Sequence, residues 1–326
     1  MKKLYLVTGG TGHLGQAVIR ALLKENAKIR ALCLPKDKTP LPSEVERCPG
    51  DVRDKKSLAS FFDVKGYDHV VLIHMAALIT IESVKNEDLE KINIQGTKNI
   101  LTLCQEHGVG RLLYVSSVHA IPENSSLDPI VEPDIFHPDR VEGHYAKSKA
   151  TAAQIVLEAI EEGLEANLIF PSGIIGPYDF NRNNHLTQLL ERMARDRVFL
   201  SVRGGYDFVD VRDVAGSLLL CEKHAKKGES YIISGGYYEI EDLYNIVSEV
   251  TGRKKQIVHF PIKTAELVAP MAESFAKLLG KKPLLTPYSI YTLRSNSNYS
   301  CEKAKRELNY RPRPISDTIR AMLEKR

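Results

Sequence analysis

The 326-residue sequence predicts an α/β fold: a doubly wound parallel sheet with a smaller, discontinuous α+β substrate lobe toward the C-terminus. Three observations predict it. From Lys3 to about Phe170 short β-branched runs alternate with helical patterns, as they do when helices cover both faces of a parallel sheet. The first run, Tyr5-Leu6-Val7, drives into Thr8-Gly9-Gly10-Thr11-Gly12-His13-Leu14-Gly15 and then a helical stripe of Leu14, Ala17, Val18, Ala21 and Leu22. After Phe170 the alternation breaks, where Pro171, Gly173, Gly176 and Pro177 crowd together ahead of the polar stretch Asn181-Arg182-Asn183-Asn184.

In chain order the strands are Leu4 to Val7, Lys28 to Cys33, His69 to His74, Arg111 to Ser116 and Ala166 to Phe170, each ending where a ligand-facing loop begins. Helices are expected over Asp54 to Lys65 and Glu87 to His107, the second stopped by Gly108. These elements assign residues 1–170 to a dinucleotide-binding domain, rejoined over about 208–234 by Phe208 to Glu222 and a strand Tyr231 to Ser234. Residues 171–207 and 235–326 then form the substrate lobe, with helices Glu241 to Thr251 and Ile262 to Leu279. Gly9, Gly12 and Gly15 stand three apart, so each serves a separate need: a tight turn, close approach of backbone to a diphosphate, and close packing of helix on strand. The first unpaired N–H groups of the following helix point at the anion. This is a Rossmann-type phosphate cradle, with Gly9, Thr11, Gly12, His13 and Leu14 at the ligand.

Composition narrows the partners. A net charge of +4 without a Lys/Arg block is too mild for a nucleic-acid surface, and no apolar stretch approaches bilayer-spanning length, so neither nucleic acid nor membrane is an expected partner. The five cysteines, Cys33, Cys48, Cys104, Cys221 and Cys301, are odd in number and scattered, which fits neither a disulfide framework nor a metal site and makes a reducing cytoplasm the expected location.

The chemistry concentrates at Tyr145-Ala146-Lys147-Ser148-Lys149, where a phenol and an ammonium four residues apart share a face of a helix continuing through Ala152, Ala153, Val156 and Ile160. The same spacing recurs at Tyr299 and Lys303, as chance allows in a chain with 14 tyrosines, so context decides between them. Tyr145 lies 28 residues after Ser117, at the end of the run Leu113-Tyr114-Val115-Ser116-Ser117, and downstream of the glycine turn; Tyr299 has no such companions. A tyrosine with an ordinary pKa near 10 is a poor base at neutral pH. An ammonium about 4 Å away at an effective dielectric near 20 supplies on the order of 4 kcal/mol, enough for the depression required. Lys149 is thus expected to lower the pKa of Tyr145 while a serine hydroxyl holds the substrate oxygen.

Several ordered motifs make the chain resemble the extended short-chain dehydrogenase/reductase family over nearly its whole length: Thr8 to Gly15, Gly50-Asp51-Val52, His74-Met-Ala-Ala77, Asn93-Ile-Gln-Gly-Thr97, Ser116-Ser117, Tyr145-x-x-x-Lys149, Pro171 to Pro177 and Phe208 to Val214. The resemblance implies that Ser117 is the catalytic serine, Tyr145 the acid/base, and Lys149 the ribose-binding residue that lowers the tyrosine pKa. It places Asp51 and Val52 at the adenine, Ala76 and Ala77 along the cofactor, and Pro171, Gly173 and Ile174 beside the nicotinamide. Each has a plainer alternative. Asp51 can cap the helix at Asp54, Ala76 and Ala77 can serve sheet packing, Asn93 can order its neighbouring loop, His74 can be a satisfied strand-end histidine, and His119 can line the pocket or cap the loop.

An acid about 20 positions beyond the glycines would accept the ribose hydroxyls of NAD. Here the second strand runs out as Cys33-Leu34-Pro35-Lys36-Asp37-Lys38, with no acid at its tip, and Lys36 and Lys38 are placed to pair with a 2′-phosphate. NADP(H) is therefore favoured over NAD(H), unless Asp37 swings in. Within the extended family the resemblance leans to the dihydroflavonol reductase and 3β-hydroxysteroid dehydrogenase branch, including Tyr299 to Ala304 and Glu307 to Pro312. That branch implies a ketone and secondary-alcohol pair on a bulky, largely apolar small molecule. Phe170 stands where sugar-nucleotide epimerases usually carry arginine. His119, Tyr178, Arg182, Tyr206 and Phe208 are the substrate-pocket candidates, and the chain is expected to be a monomer or homodimer. The alternatives are a nucleotide-sugar epimerase or dehydratase with tightly held NAD and, remotely, a non-enzymatic cofactor-sensing protein.

Overall fold

In a computed structural model, residues 2–82, 86–123, 128–182, 184–252, 256–278 and 286–324 are described; Asn183 and Leu279 of the stretches above lie outside them. The glycine turn joins β1 (Lys3–Thr8) to α1 (His13–Lys24). β2 (Lys28–Cys33), β3 (Glu46–Pro49) and β4 (His69–His74) follow. A continuous helical run is α-helical at α2 (Glu87–Leu89), π-helical at Glu90–Gln95 and α-helical again at α3 (Gly96–Glu106). β5 (Arg111–Val115), α4 (His144–Glu161) and β6 (Ala166–Pro171) complete the alternation. Beyond it come β7 (Gly173–Ile175), α5 (His185–Arg195), β8 (Val198–Val202), β9 (Gly205–Asp210), α6 (Val211–His224), β10 (Ser230–Ile233), β11 (Tyr237–Glu239) and α7 (Ile240–Thr251). β12 (Gln256–Phe260), α8 (Ile262–Leu278), α9 (Pro287–Arg294), α10 (Glu302–Leu308) and α11 (Ile315–Leu323) end the chain.

Seven parallel strands form the main sheet in the order β10-β6-β5-β4-β1-β2-β3, the doubly wound arrangement that the alternation predicts. Strand alternation divides its core between two faces. Leu4, Leu6, Leu72, Leu112 and Phe170 pack with Ile100 and Cys104 of α3 and Ala152, Ala153 and Val156 of α4. Tyr5, Val7, Ile73, Leu113 and Ile233 pack on the other face with Val18 and Leu22 of α1 and Val214 and Leu218 of α6. Each such side chain, fully withdrawn from water, contributes about 1.5–3 kcal/mol. All five cysteines are buried and unpaired. Among the described residues, no helix is long and apolar enough to cross a membrane, and no cluster of His, Cys, Asp and Glu is arranged to hold a metal.

A third core belongs to the C-terminal lobe, where Ile175, Leu190, Met193, Phe208, Leu243, Val247 and Ile319 meet. β11, β9 and β7 form a three-stranded sheet there, and β12 and β8 a parallel pair. Phe208 therefore lies in the small sheet, and the chain returns to the main one through α6 and β10, α6 being started by Asp210, which accepts from the Arg212 N–H at 2.6 Å. Residues Cys301, Ala304, Leu308 and Tyr310 pack with the core under the main sheet rather than with the lobe.

The helix expected over Asp54 to Lys65 is a single 3₁₀ turn, Lys55–Leu58, capped by the Asp54 side chain on the Lys56 N–H. Its continuation is lost to Arg30 of β2, nearly buried, whose guanidinium donates to the carbonyls of Ser60, Phe61 and Asp63 at 3.2, 3.1 and 2.7 Å. Sequence periodicity holds no trace of that capture, because Arg30 comes from a strand 30 residues earlier. Arg30→Met keeps the stem but strips these carbonyls of their donor. It is expected to lower stability by about 2–4 kcal/mol in urea unfolding, with the denaturant slope unchanged.

Candidate active site

The cleft starts at the turn after β1. Gly9 holds φ of +69°, and a Cβ built on it would stand 2.9 Å from the Ala76 nitrogen; one on Gly15 would stand 2.1 Å from the Gly9 carbonyl oxygen. No side chain fits at either place. The turn closes by donation from the Gly12 N–H to the Gly9 carbonyl at 3.0 Å. Gly12 is the N-cap of α1 but carries no capping side chain, and no acid occupies the first turn. The first N–H groups of α1 and its dipole are thereby free for an anion, and a backbone cradle of this shape fits the diphosphate of a dinucleotide.

A buried hydrogen-bond chain fixes that cradle to its neighbours. The Thr8 hydroxyl accepts from the Met75 and Ala76 N–H groups, both at 3.1 Å, and so donates to His74 Nδ1 at 2.7 Å. His74 Nε2 then donates to Thr97 Oγ1 at 3.2 Å, and Thr97 to the Asn93 carbonyl at 2.7 Å. Burial, with the nearby Lys149 charge, pushes the His74 pKa down to about 3, so the imidazole is neutral, as this chain requires. Asn93 in turn accepts from the Leu78 N–H at 2.8 Å and donates to Ser148 Oγ at 2.9 Å. The plainer readings of His74 and Asn93, a satisfied strand-end histidine and a loop organiser, are what the structure contains. Across the cleft mouth, neutral His13 donates through Nε2 to the Pro177 carbonyl at 3.0 Å and accepts from Asn184 at 3.1 Å, tying the turn to the lobe.

Helix α4 begins after Gly143, whose φ of +88° and contact with the Tyr288 ring leave no room for a Cβ. Tyr145 and Lys149, one turn apart on α4, both face the cleft, and the Tyr145 phenol is hydrogen-bonded to Ser117. Lys149, 3% exposed, donates from Nζ to the Val115 carbonyl at 2.9 Å. Burial drives both groups toward neutrality: the Lys149 pKa falls to about 7, and that of Tyr145 rises to about 12 despite the counteracting Ser117 hydrogen bond. The expected depression of the phenol by Lys149 is therefore corrected. Desolvation outweighs charge here, and the ammonium is engaged by a backbone carbonyl.

Beside Tyr145 the His119 ring stands edge-on at 5.9 Å between centroids. The Tyr206 hydroxyl is 2.9 Å from its Nε2 and the Tyr288 hydroxyl 2.9 Å from its Nδ1. Burial, aided by the His185 charge, lowers the His119 pKa to about 4, so the ring carries one N–H; one phenol donates to it and the other accepts. The His119 backbone N–H donates to Ser117 Oγ at 3.3 Å, so His119 both lines the cleft and belongs to the turn that Ser117 caps.

The cleft encloses about 1040 Å³. Gly9, Thr11, Gly12, His13, Leu14, Asp51, Val52, Ala76, Ala77, Pro171, Gly173 and Ile174 line it, with Ser117, Tyr145, Lys149, His119, Tyr206 and Phe208. Asp51 pairs with Arg53 at 2.6 Å, while Asp54 takes the capping task. Three expected site residues are not brought in. Tyr178 turns away, with the Arg20 guanidinium 4.8 Å over its ring; Arg182 is exposed; Lys36 is exposed outside the lining. Asp37 enters instead, through a turn in which its N–H donates to the Leu34 carbonyl at 2.9 Å. Burial raises its pKa, but hydrogen bonds from Thr11 and Thr39 and the Arg47 charge outweigh burial and hold it below the usual carboxylate range. Tyr288 and Asn184 were not legible as site residues. The helix start Thr286-Pro287 gives a local signal, but nothing in it says that Tyr288 reaches His119.

A family model described as "NAD dependent epimerase/dehydratase family" matches residues 5–234. The chain is 30% identical, over 94% of its length and 93% of the relative, to sterol demethylase protein B of Methylococcus capsulatus. It is 27% identical, over 93% of its length and 90% of the relative, to the 4-hydroxy-2-methyl-3-oxo-4-farnesyl-3,4-dihydroquinoline-1-oxide ketoreductase of Stigmatella aurantiaca. The crystal structure of gox2253 superposes with a TM-score of 0.82 at 30% identity, covering 99% of this chain and 97% of that one. UDP-glucose 4-epimerase of Thermotoga maritima, at 20% identity, 99% and 97% coverage and a TM-score of 0.77, shares the fold. With the diphosphate cradle, the Tyr145, Lys149 and Ser117 cluster and these matches together, the chain belongs to the NAD-dependent epimerase/dehydratase family, within the extended short-chain dehydrogenase/reductases, as an NAD(P)-dependent oxidoreductase.

Proposed function

We propose that the protein interconverts a ketone and a secondary alcohol on a bulky, largely apolar small molecule. The observation that carries this reading is the hydrogen-bonded pair Tyr145 and Ser117 at the junction between the glycine cradle and an apolar chamber walled by Leu186, Leu189, Phe199, Phe208 and Leu293. The bound nicotinamide supplies the hydride. Ser117 holds the carbonyl oxygen, and Tyr145 delivers its phenolic proton to that oxygen as the carbonyl carbon is reduced. A phenol with a pKa near 12 keeps this proton throughout the neutral range, which suits it to the reductive direction. Lys149, buried one turn away, is placed to stabilise the phenolate left behind, and the proton is restored from solvent.

On the cofactor, the lysine argument for NADP(H) loses its footing, since neither Lys36 nor Lys38 lines the cleft while Asp37, 22 residues beyond Gly15, does. A carboxylate at that place accepts ribose hydroxyls and repels a 2′-phosphate, so the reading here is tighter binding of NAD(H). Five buried, unpaired cysteines accord with a reducing compartment.

The direct test follows reduced-nicotinamide absorbance with a panel of bulky ketones. Stoichiometric consumption supports the reductase, whereas isomerised sugar nucleotide without net turnover supports an epimerase. Tyr145→Phe is expected to lower kcat about 10²–10⁴-fold while dinucleotide affinity, read by thermal shift, stays within about twofold. Reduction needs the protonated phenol and oxidation the phenolate, so the reductive rate is expected to stay level from pH 6 to 9 on this group's account, while oxidation climbs with pH toward about 12. Asp37→Asn should bring NADP(H) at least about tenfold closer to NAD(H) in titrations of both.

A further inference from the structure

The lobe carries an apolar face on the side opposite its own core. Helix α8 packs inward through Ala265 and Ala269, with Ile262, against Ile290 and Leu293 of α9 and Val202 of β8. Its other side presents Leu267, Met271, Phe275 and Leu278, spaced four, four and three and exposed by 75, 71, 63 and 82%. The β8 and β12 pair adds Val198, Leu200, Val258 and Phe260, all exposed, Leu200 standing in register with Val258. A single exposed leucine needs no explanation, but eight exposed large apolar side chains on one lobe do.

Charge says what covers it. Arg197 and Arg203 flank β8 and Lys263 stands in the first turn of α8; all three are exposed, and none is ion-paired among the described residues. The two acids of α8 are withdrawn from the face: Glu266 pairs with Arg294, and Glu273 is buried. Arg197, Arg203 and Lys263 thus set unpaired positive charge beside exposed apolar side chains, the complement of anionic headgroups over acyl chains. A second copy of the same face would bring like charges together. The apolar face also runs into the cleft, because Leu200, Phe260 and Val268 are exposed and at the same time line it.

We propose that this face docks the protein on an anionic lipid surface. Helix α8 lies in the interfacial plane, Leu267, Met271, Phe275 and Leu278 enter the acyl region, and Arg197, Arg203 and Lys263 sit at the headgroups. At 17 residues, with Lys263, Glu266 and Glu273 along it, the helix is not long and apolar enough to span, so the attachment is peripheral. The cleft mouth then opens against the bilayer, a source of apolar molecules that water carries poorly.

Cosedimentation of the full chain with phosphatidylcholine vesicles, with and without phosphatidylglycerol, tests this with no substrate present, so it stands or falls separately from the reductase reading. The wild-type protein is expected to pellet with the anionic vesicles and to release roughly tenfold on removing phosphatidylglycerol. The double variant Met271→Glu, Phe275→Glu is expected to lose binding roughly tenfold or more, with its thermal midpoint and dinucleotide affinity unchanged. Wild-type protein left in the supernatant with anionic vesicles overturns the proposal, as does undiminished pelleting of the folded variant. A concentration-dependent dimer in light scattering that the variant dissolves overturns it too, since the face then covers a second copy.

Discussion

The site depends on one steric constraint, the space between the turn after β1, the end of β4 and the start of α1. Gly9 and Gly15 leave no volume for a methyl group, with built Cβ atoms 2.9 and 2.1 Å from backbone atoms. Contact that close lets the Thr8 hydroxyl reach the Met75 and Ala76 amides while α1 aims its uncapped end at the same cleft. The cradle is thus a property of backbone packing. The chain Thr8, His74, Thr97 and Asn93 carries the constraint through the core to Ser148, which lies on α4 next to Lys149. The glycine turn and helix α4 are held in one buried network, in which an unsatisfied member would cost about 1–3 kcal/mol.

Burial sets the electrostatics of the cleft more than pairwise charge does. Tyr145, Lys149 and His119 are all pushed toward their neutral forms, at about 12, 7 and 4. Under the proposed reduction, a proton moved at buried Tyr145 would act against a low dielectric. The intuition from the Tyr145 and Lys149 spacing treats the ammonium as free to act on the phenol. With Lys149 Nζ on the Val115 carbonyl, its influence passes through position and charge state together.

Much of the site was legible because its motifs are local. The turn from Thr8 to Gly15, the pair Tyr145 and Lys149, and Ser117 at a strand end each read from a few consecutive residues, and five strands fall within a residue or two of where periodicity puts them. What escaped reading is made by distant partners. The Asp54 to Lys65 helix fails because Arg30 takes its carbonyls. Tyr178, placed in the pocket by its neighbourhood in sequence, is drawn off by Arg20. Asp37 displaces Lys36 from the cleft through a turn that no periodicity marks. The small strands β7, β11 and β12 are three to five residues long, too short to carry an alternation of their own.

By itself the sequence determined the doubly wound sheet, the glycine turn after its first strand and the helical turn that sets Tyr145 beside Lys149. Those features rest on hydrophobic period, glycine spacing and one helical turn, all properties of short chain segments. Tertiary structure alone decided which residues close the cleft, joining Tyr206 and Tyr288 to His119 across 87 and 169 positions. It also decided the sign of the Tyr145 shift and which charge stands at the end of β2. The physical reason is the same in each case: burial and long-range hydrogen bonding depend on what the folded chain brings alongside a residue, and that neighbour is not written next to it.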